Sequence, residues 1–256
     1  MKRFFAFFKK EFLETLRSGK LLILSILFSA FGIMNPAIAK LTPWFLEILS
    51  EDVAQSGIII TEIAVDALTS WTQFFKNIPL ALIVFVFMFS NSFTQEYESQ
   101  TLVLVLTKGL HRYKVILAKL LNMQIIWTCG YTFCFIITYA YNAYFWDNSI
   151  AIELIPAAIN WWLFGTFTIS LMILFSVLSR KYSGVLLGTG AVLLVSFVVG
   201  LIPKAAKYMP TSLMNSAALL IGQETWSEYT ATITITAVLS VISIIASIPI
   251  FNKKTL

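Results

Sequence analysis

LIPAAINWWLFGTFTISLMILFSVLS, residues 154–179, contains no charged side chain. A helix crossing hydrocarbon needs about 20 mainly apolar residues, because its backbone polar groups can bond only to one another there. This stretch is long enough to cross. It ends at Arg180-Lys181, and a second charge-free run, Tyr182–Pro203, begins at once. Working outward, further runs lie at Leu21–Ala39, Asn77–Gln95, Leu120–Trp146 and Tyr229–Asn252. Six such runs predict an all-α polytopic membrane protein, with residues 1–256 as a single transmembrane domain and no appended soluble catalytic domain. Hydrophobic residues make up 58% of the 256 and charged residues 12%, against about half and a quarter in soluble domains.

Basic residues gather on the cytoplasmic side of membrane proteins. With the N-terminus in the cytoplasm, only Lys40, Lys76, Lys204 and Lys207 of the 18 Lys and Arg fall outside. Both ends are therefore expected in the cytoplasm of a multi-pass protein of the cell membrane. The net charge of +5 is read as this bias, not as a nucleic-acid surface. Ala37-Ile38-Ala39 looks like a signal cleavage site, but the preceding segment carries Glu11 and Glu14. A signal n-region is shorter and basic, so the first span is read as retained. Cys129 and Cys134 share one span without metal or disulfide spacing, and His111 is the lone histidine.

Residues 2–18 read as an amphipathic interfacial helix, Phe5, Phe8, Phe12 and Leu16 on one side and Arg3, Lys10, Glu14 and Arg17 on another. The competing reading is a simple basic anchor. Residues 40–72 form an acidic outer loop (Glu47, Glu51, Asp52, Glu62, Asp66) with apolar patches at Trp44–Ile48 and Ile58–Ile60. After the second span, Glu96 and Glu98 precede the apolar run Leu102–Leu106, and Lys108-Gly109 reads as a helix stop. Acid first and base last suits the helix dipole, so a short helix over about 99–107 is expected beneath the membrane, with an ordinary loop as the alternative. Residues 208–223 are charge-free but short and contain Pro210, which suggests re-entrant or surface-lying helices before the last span. Ser90, Asn91, Ser92, Asn122, Gln124, Asn160 and Thr166 are polar residues within spans, and no acid or histidine falls near a midplane; Lys119 and Glu153 lie at span ends. An ion-coupled carrier would want such a group.

The chain has no phosphate loop, no H-E-x-x-H, G-x-S-x-G or GxGxxG motif, no Cys/His cluster and no TVGYG filter. No catalytic residue, metal site or resident cofactor is therefore expected. A transport domain without them needs energy from elsewhere, and a short charged cytoplasmic helix suits a lever.

These parts have an order. Phe8-Lys-Lys-Glu-Phe-Leu-Glu-Thr-Leu-Arg17 runs into the first span. Glu96-x-Glu98-x-x-Thr101-Leu102 follows the second span and leads to Leu110-His-Arg112-x-x-x-Ile-Leu-Ala-Lys119. Six spans and an outer element before the last complete a pattern that covers essentially the whole chain and resembles the membrane subunit of type-2 ABC exporters, the ABC-2 permeases. The resemblance implies that 2–18 is an elbow helix, that 96–109 is the coupling helix docking into a separate ABC ATPase subunit, and that 205–228 is an outer helical hairpin. Glu96, Glu98, Thr101, Leu102, Leu106, Lys108 and Arg112 would then form the docking surface, with ATP and Mg in the partner. A second copy of the chain or a homologous permease would complete the pathway. Two departures from the family pattern are Gln100, where many members have Gly, and Gly109, where Pro is common. The uncharged aromatic spans suggest an amphipathic or lipid-like cargo, such as a cytolytic or antimicrobial peptide. Asn91, Asn122 and Asn160 are the candidate pathway-lining residues, with helix–helix hydrogen bonding as their alternative role. The rival functions are a non-transporting immunity factor, scaffold or sensor, and a secondary carrier.

The topology can be tested by cysteine labelling in intact cells, in a background lacking Cys129 and Cys134. Single cysteines at Ser179 and Thr255 should resist a membrane-impermeant thiol reagent, and one at Glu224 should react. Labelling of Thr255 from outside would overturn the assignment.

Overall fold

The computed structural model describes residues 2–53, 65–215 and 217–254, and residues 45–53 by their backbone alone. The described residues are helical and contain no strand. The helices are α1 (Lys2–Arg17), α2 (Lys20–Val53), α3 (Ala67–Phe89), α4 (Thr94–Glu98), α5 (Thr101–Thr107), α6 (Arg112–Phe145), α7 (Leu154–Leu178), α8 (Tyr182–Gly200), α9 (Pro203–Ala206), α10 (Ala217–Leu220) and α11 (Thr230–Lys253). Among the described residues six helical segments are long and apolar enough to cross a membrane, in agreement with the six runs.

The ends of these helices have local causes. Gly19 separates α1 from α2 in a left-handed turn at φ 75°, a conformation that costs glycine nothing. Asp66 caps α3, its Oδ1 accepting the backbone N–H of Thr69 at 3.0 Å. Three helices start or end outside the runs read from charge: α2, α6, and α3, which begins at Ala67 within the segment read as an outer loop to residue 72. α2 continues through Pro36 and Pro43 to Val53, so the segment read as an outer loop from residue 40 is helical that far. Neither proline is accompanied by a glycine or other stop. The apolar patch at Ile58–Ile60 and Glu62 lie outside the described residues. α2 and α6 each have 34 residues, about 51 Å at 1.5 Å per residue, against about 30 Å of hydrocarbon. Between α8 and α11, where the sequence suggested a helical pair, the described residues form short turns: α9, a 3₁₀ turn at Pro210–Met214, α10 and a 3₁₀ turn at Trp226–Tyr229.

α7 is the enclosed centre. Of its most apolar window 67% is buried, against 17% for α8 at the periphery. It packs against α6, α8 and α11, while α2, α3 and α6 pack together beside it. Lipid is as apolar as these side chains, so association rests on close packing and hydrogen bonds. α11 turns a stripe of Thr232, Thr236, Ser240, Ser243 and Ser247 inward. Their small size lets α7 approach, and Thr236, Ser240, Ser243 and Ser247 each return a hydrogen bond to the preceding turn of α11. Between α2, α3 and α6, Asn77 Nδ2 donates to Asn35 Oδ1 at 2.7 Å, Asn35 Nδ2 to Thr138 Oγ1 at 3.4 Å, and Thr138 Oγ1 to the Gly32 carbonyl at 3.1 Å.

Aromatic rings fill the rest, seated on glycines. Trp127 of α6 is fully buried among Phe28, Phe85 and Tyr131 and lies directly over Gly165 of α7, where an added Cβ would overlap the indole. The surrounding rings leave that indole nowhere to move. Gly165→Ala should therefore cost about 1–3 kcal/mol as overpacking. Gly190→Ala on α8, where nothing lies within 4 Å of the new Cβ, should be neutral or stabilising by up to about 1 kcal/mol. Thermal unfolding of both variants in detergent checks the pair; equal shifts would refute the packing account.

Candidate functional site

α1 buries Phe7, Glu11 and Thr15. Their spacing of four places them on one helix face, distinct from the Phe5–Leu16 side, much of which stays exposed. A carboxylate in that buried stripe needs partners, and it finds them on two distant segments. Glu11 Oε2 meets Lys119 Nζ at 2.7 Å and its Oε1 meets Lys10 Nζ at 3.0 Å. Glu96, two residues into α4, repeats the arrangement: Oε1 to Lys10 at 2.5 Å, Oε2 to Lys119 at 3.0 Å. The result is a closed ring, Lys10–Glu11–Lys119–Glu96, joining α1, α4 and α6. Lys119 is only 1% exposed, and Glu11 and Glu96 are each 4% exposed. Lys119 also donates to the Ser92 carbonyl at 2.9 Å, and Phe93 and Phe7 lie 5.1 and 6.0 Å from the ammonium. Glu14 adds a third carboxylate to Lys10 at 2.9 Å. The carboxylates of Glu11, Glu14 and Glu96 come within 4.8 Å of one another, close enough to hold a cation, and the cation they share is the Lys10 ammonium.

Burial pushes the Glu11 carboxyl above the usual carboxylate range and Glu96 adds to it, although Lys119 and Lys10 oppose. Burial pulls the Lys10 ammonium down, but hydrogen bonds to Glu14 and Glu96 and the charge of Glu11 outweigh it and hold the group above the usual lysine value.

The same end of the bundle is stapled twice more. Arg112, at the start of α6, donates from Nη1 to the Phe251 carbonyl at 2.5 Å and the Lys254 carbonyl at 2.7 Å, closing the C-terminus of α11. Lys254 donates from Nζ to the carbonyls of Val177 and Ser179, both at 2.7 Å, closing that of α7. Cations suit these helix ends. Burial, with Arg180 nearby, pulls Lys254 down to about 8. Arg3 of α1 reaches the Gly109 carbonyl at 3.2 Å.

The residues read as a docking surface therefore divide. Glu98, Thr101 and Lys108 are exposed and Leu106 is half-buried. Glu96 and Leu102 are buried, and Arg112 is committed to α11. These three face inward because each supplies a contact that fixes α4–α6 to the bundle. Leu104, 63% exposed, joins the outward face instead. α5 is bracketed by two left-handed residues, Gln100 at φ 54° and Gly109 at φ 81°. The three candidate lining residues also bond within the chain. Asn122 Nδ2 donates to Thr15 Oγ1 at 3.0 Å, Asn160 Oδ1 accepts from Trp226 Nε1 at 3.2 Å, and Asn91 Oδ1 accepts from Lys20 Nζ at 3.0 Å. Asn122 and Asn160 are buried and Asn91 is half-buried. The signal for the ring that sequence reading passed over was Lys119 beside an apolar run, a charge that must be paired.

A family model described as ABC-2 family transporter protein matches residues 5–254. No curated protein and no solved structure gives a significant match.

Removing one member of the ring should be costly, because it strands buried charge. Lys119→Ala leaves the buried Glu11 and Glu96 with only the exposed Lys10 between them and should cost about 3–5 kcal/mol. A carboxyl whose folded pKa lies above its unfolded value binds more protons when folded, so its stability contribution falls as pH rises through that window. The variant should therefore recover stability on acidification from pH 8 towards 5, more than wild type. Thermal unfolding across that range is the measurement; a parallel pH response would show that the carboxylates are not stranded.

Proposed function

Because the chain belongs to the ABC-2 transporter family and is a transmembrane subunit of an ABC transporter, we propose that it forms the translocation pathway of an ATP-driven exporter and is energised by a separate ABC ATPase subunit. The observation that carries this reading is α5. It is a short helix with an exposed apolar residue, Leu104, among exposed Glu98, Thr101 and Lys108, yet it is held to the spans through Glu96 and to α1 through Arg3. An outward face on a rigid mount is what a partner needs in order to push on a membrane domain. In this reading α1 is the elbow helix, α5 the centre of the coupling element on the cytoplasmic side, and the turns between α8 and α11 the outer cap. ATP and Mg belong to the ATPase.

A second copy, or a homologous permease, completes the pathway. The outward side of α8, with exposed Leu187, Leu194, Val195 and Val198, supports such pairing as well as lipid contact. The runs Asn77–Gln95, Leu120–Trp146, Leu154–Ser179 and Tyr182–Pro203 carry no charge, which favours an amphipathic or lipid-like cargo such as a membrane-active peptide, since a bare charge among them would be costly.

The test is co-purification of an ABC ATPase with the tagged chain, followed by ATP hydrolysis with and without cargo. Leu104→Asp and Glu98→Lys should each lower ATPase recovery about tenfold or more, as at an interface hot spot, while thermal unfolding of the subunit stays unchanged. Wild-type recovery in both variants would remove α5 from the interface. Hydrolysis that no cargo stimulates would favour an immunity or sensing role.

A further inference from the structure

A cavity of about 520 Å³ lies between α1, the first residues of α2 and the Phe89 end of α3. Its charged lining is Lys10, Glu11, Glu14, Arg17 and Lys20, with Ser18, Ser92 and Gln95 as neutral polar neighbours. The carboxylates are engaged, Glu14 with Lys10 and Glu11 with Lys10 and Lys119. Arg17 and Lys20 are not: among the described residues neither forms an ion pair. Lys20 spends one donor on the neutral Asn91 Oδ1 and rests 5.4 Å from the Phe89 ring centroid, so further donors remain for a ligand. Glu11, Glu14 and Glu96 outnumber Lys10 and Lys119 by one, and Arg17 and Lys20 turn that balance to a net positive charge around the cavity.

The location narrows the anion. Lys20 opens the first span, which puts the cavity at headgroup depth, and Leu13 and Phe89 supply an apolar wall beside the cations. Arg matches phosphate oxygens in pairs, and Lys adds a point charge. Basic pockets at a membrane surface attract anionic lipid.

We propose that this cavity binds the phosphate of an anionic phospholipid, held between Arg17 and Lys20, with the start of an acyl chain against Leu13 and Phe89. Lys10 stays with its carboxylates. The site does not rest on the transport reading, because it is assayed without ATPase or cargo.

Native mass spectrometry of the detergent-solubilised chain titrated with phosphatidylglycerol or phosphatidylcholine tests it. Wild type should bind phosphatidylglycerol about tenfold or more tightly than phosphatidylcholine. The double variant Arg17→Gln/Lys20→Gln should lose that preference, and Lys20→Arg should keep it. Thermal unfolding in phosphatidylcholine nanodiscs checks that the variants fold; if the double variant does not, the single variants Arg17→Gln and Lys20→Gln are read in its place. An unchanged preference in the neutralised variants, or equal binding of the two lipids by wild type, overturns the proposal. Displacement of phosphatidylglycerol by sn-glycerol 3-phosphate would overturn the lipid as the source of the phosphate.

Discussion

The ring of Lys10, Glu11, Lys119 and Glu96 is the constraint on which the arrangement of this end of the molecule depends. Each carboxylate meets both ammoniums, and each ammonium meets both carboxylates. Taking Glu11, Glu96 and Lys119 out of water, with Lys10 left at the exposed edge, carries a large desolvation cost, which such a pairing offsets only when every partner is in place. Its net contribution to stability is therefore small, but its specificity is high. α1 cannot rotate without withdrawing Glu11, and α4 cannot shift without withdrawing Glu96. The bond from Asn122 to Thr15 and the reach of Arg3 to Gly109 follow the same placement. α5 thus presents its outward face in one orientation.

Higher in the bundle the same need is met by uncharged groups. Asn35, Asn77 and Thr138 bind three helices together, and the Thr/Ser stripe of α11 satisfies itself while leaving room for α7. In water, burial of apolar surface would hold such helices together. In hydrocarbon that force vanishes, and what distinguishes one packing from another is where small residues meet large rings and where amides find amides. Gly165 beneath Trp127 and Gly130 beneath Phe28 are the steric half of that code.

The fold was legible because charge is excluded from hydrocarbon so strongly that runs such as 154–179 stand out in one sequence. Helix ends were less so: α2 continues past Ala39 because charge patterning marks what hydrocarbon tolerates, not where a helix stops. At the site, the exposed Glu98 and Lys108 were legible as polar residues beside an apolar run. The inward turn of Glu96, Leu102 and Arg112 was not, because it depends on Lys119 and on the end of α11, far away in sequence. Gln100 lies at φ 54°, where a side chain is tolerated at the cost of local strain. The Thr/Ser stripe of α11 escaped notice since hydroxyls bonded to their own helix read as neutral filler.

The capping of α11 by Arg112 bears on the order in which the molecule is made. The guanidinium and the Phe251 carbonyl are 139 residues apart. At about 5–20 residues per second, translation separates them by roughly 7–28 s. During that interval α6 has its first turn at the membrane surface with no cap to hold, and Lys254 has yet to close α7. The layer that mounts α5 is completed only after the final span has entered the bilayer. The distance between the two ends of one hydrogen bond thus sets how late in synthesis this end of the bundle can close.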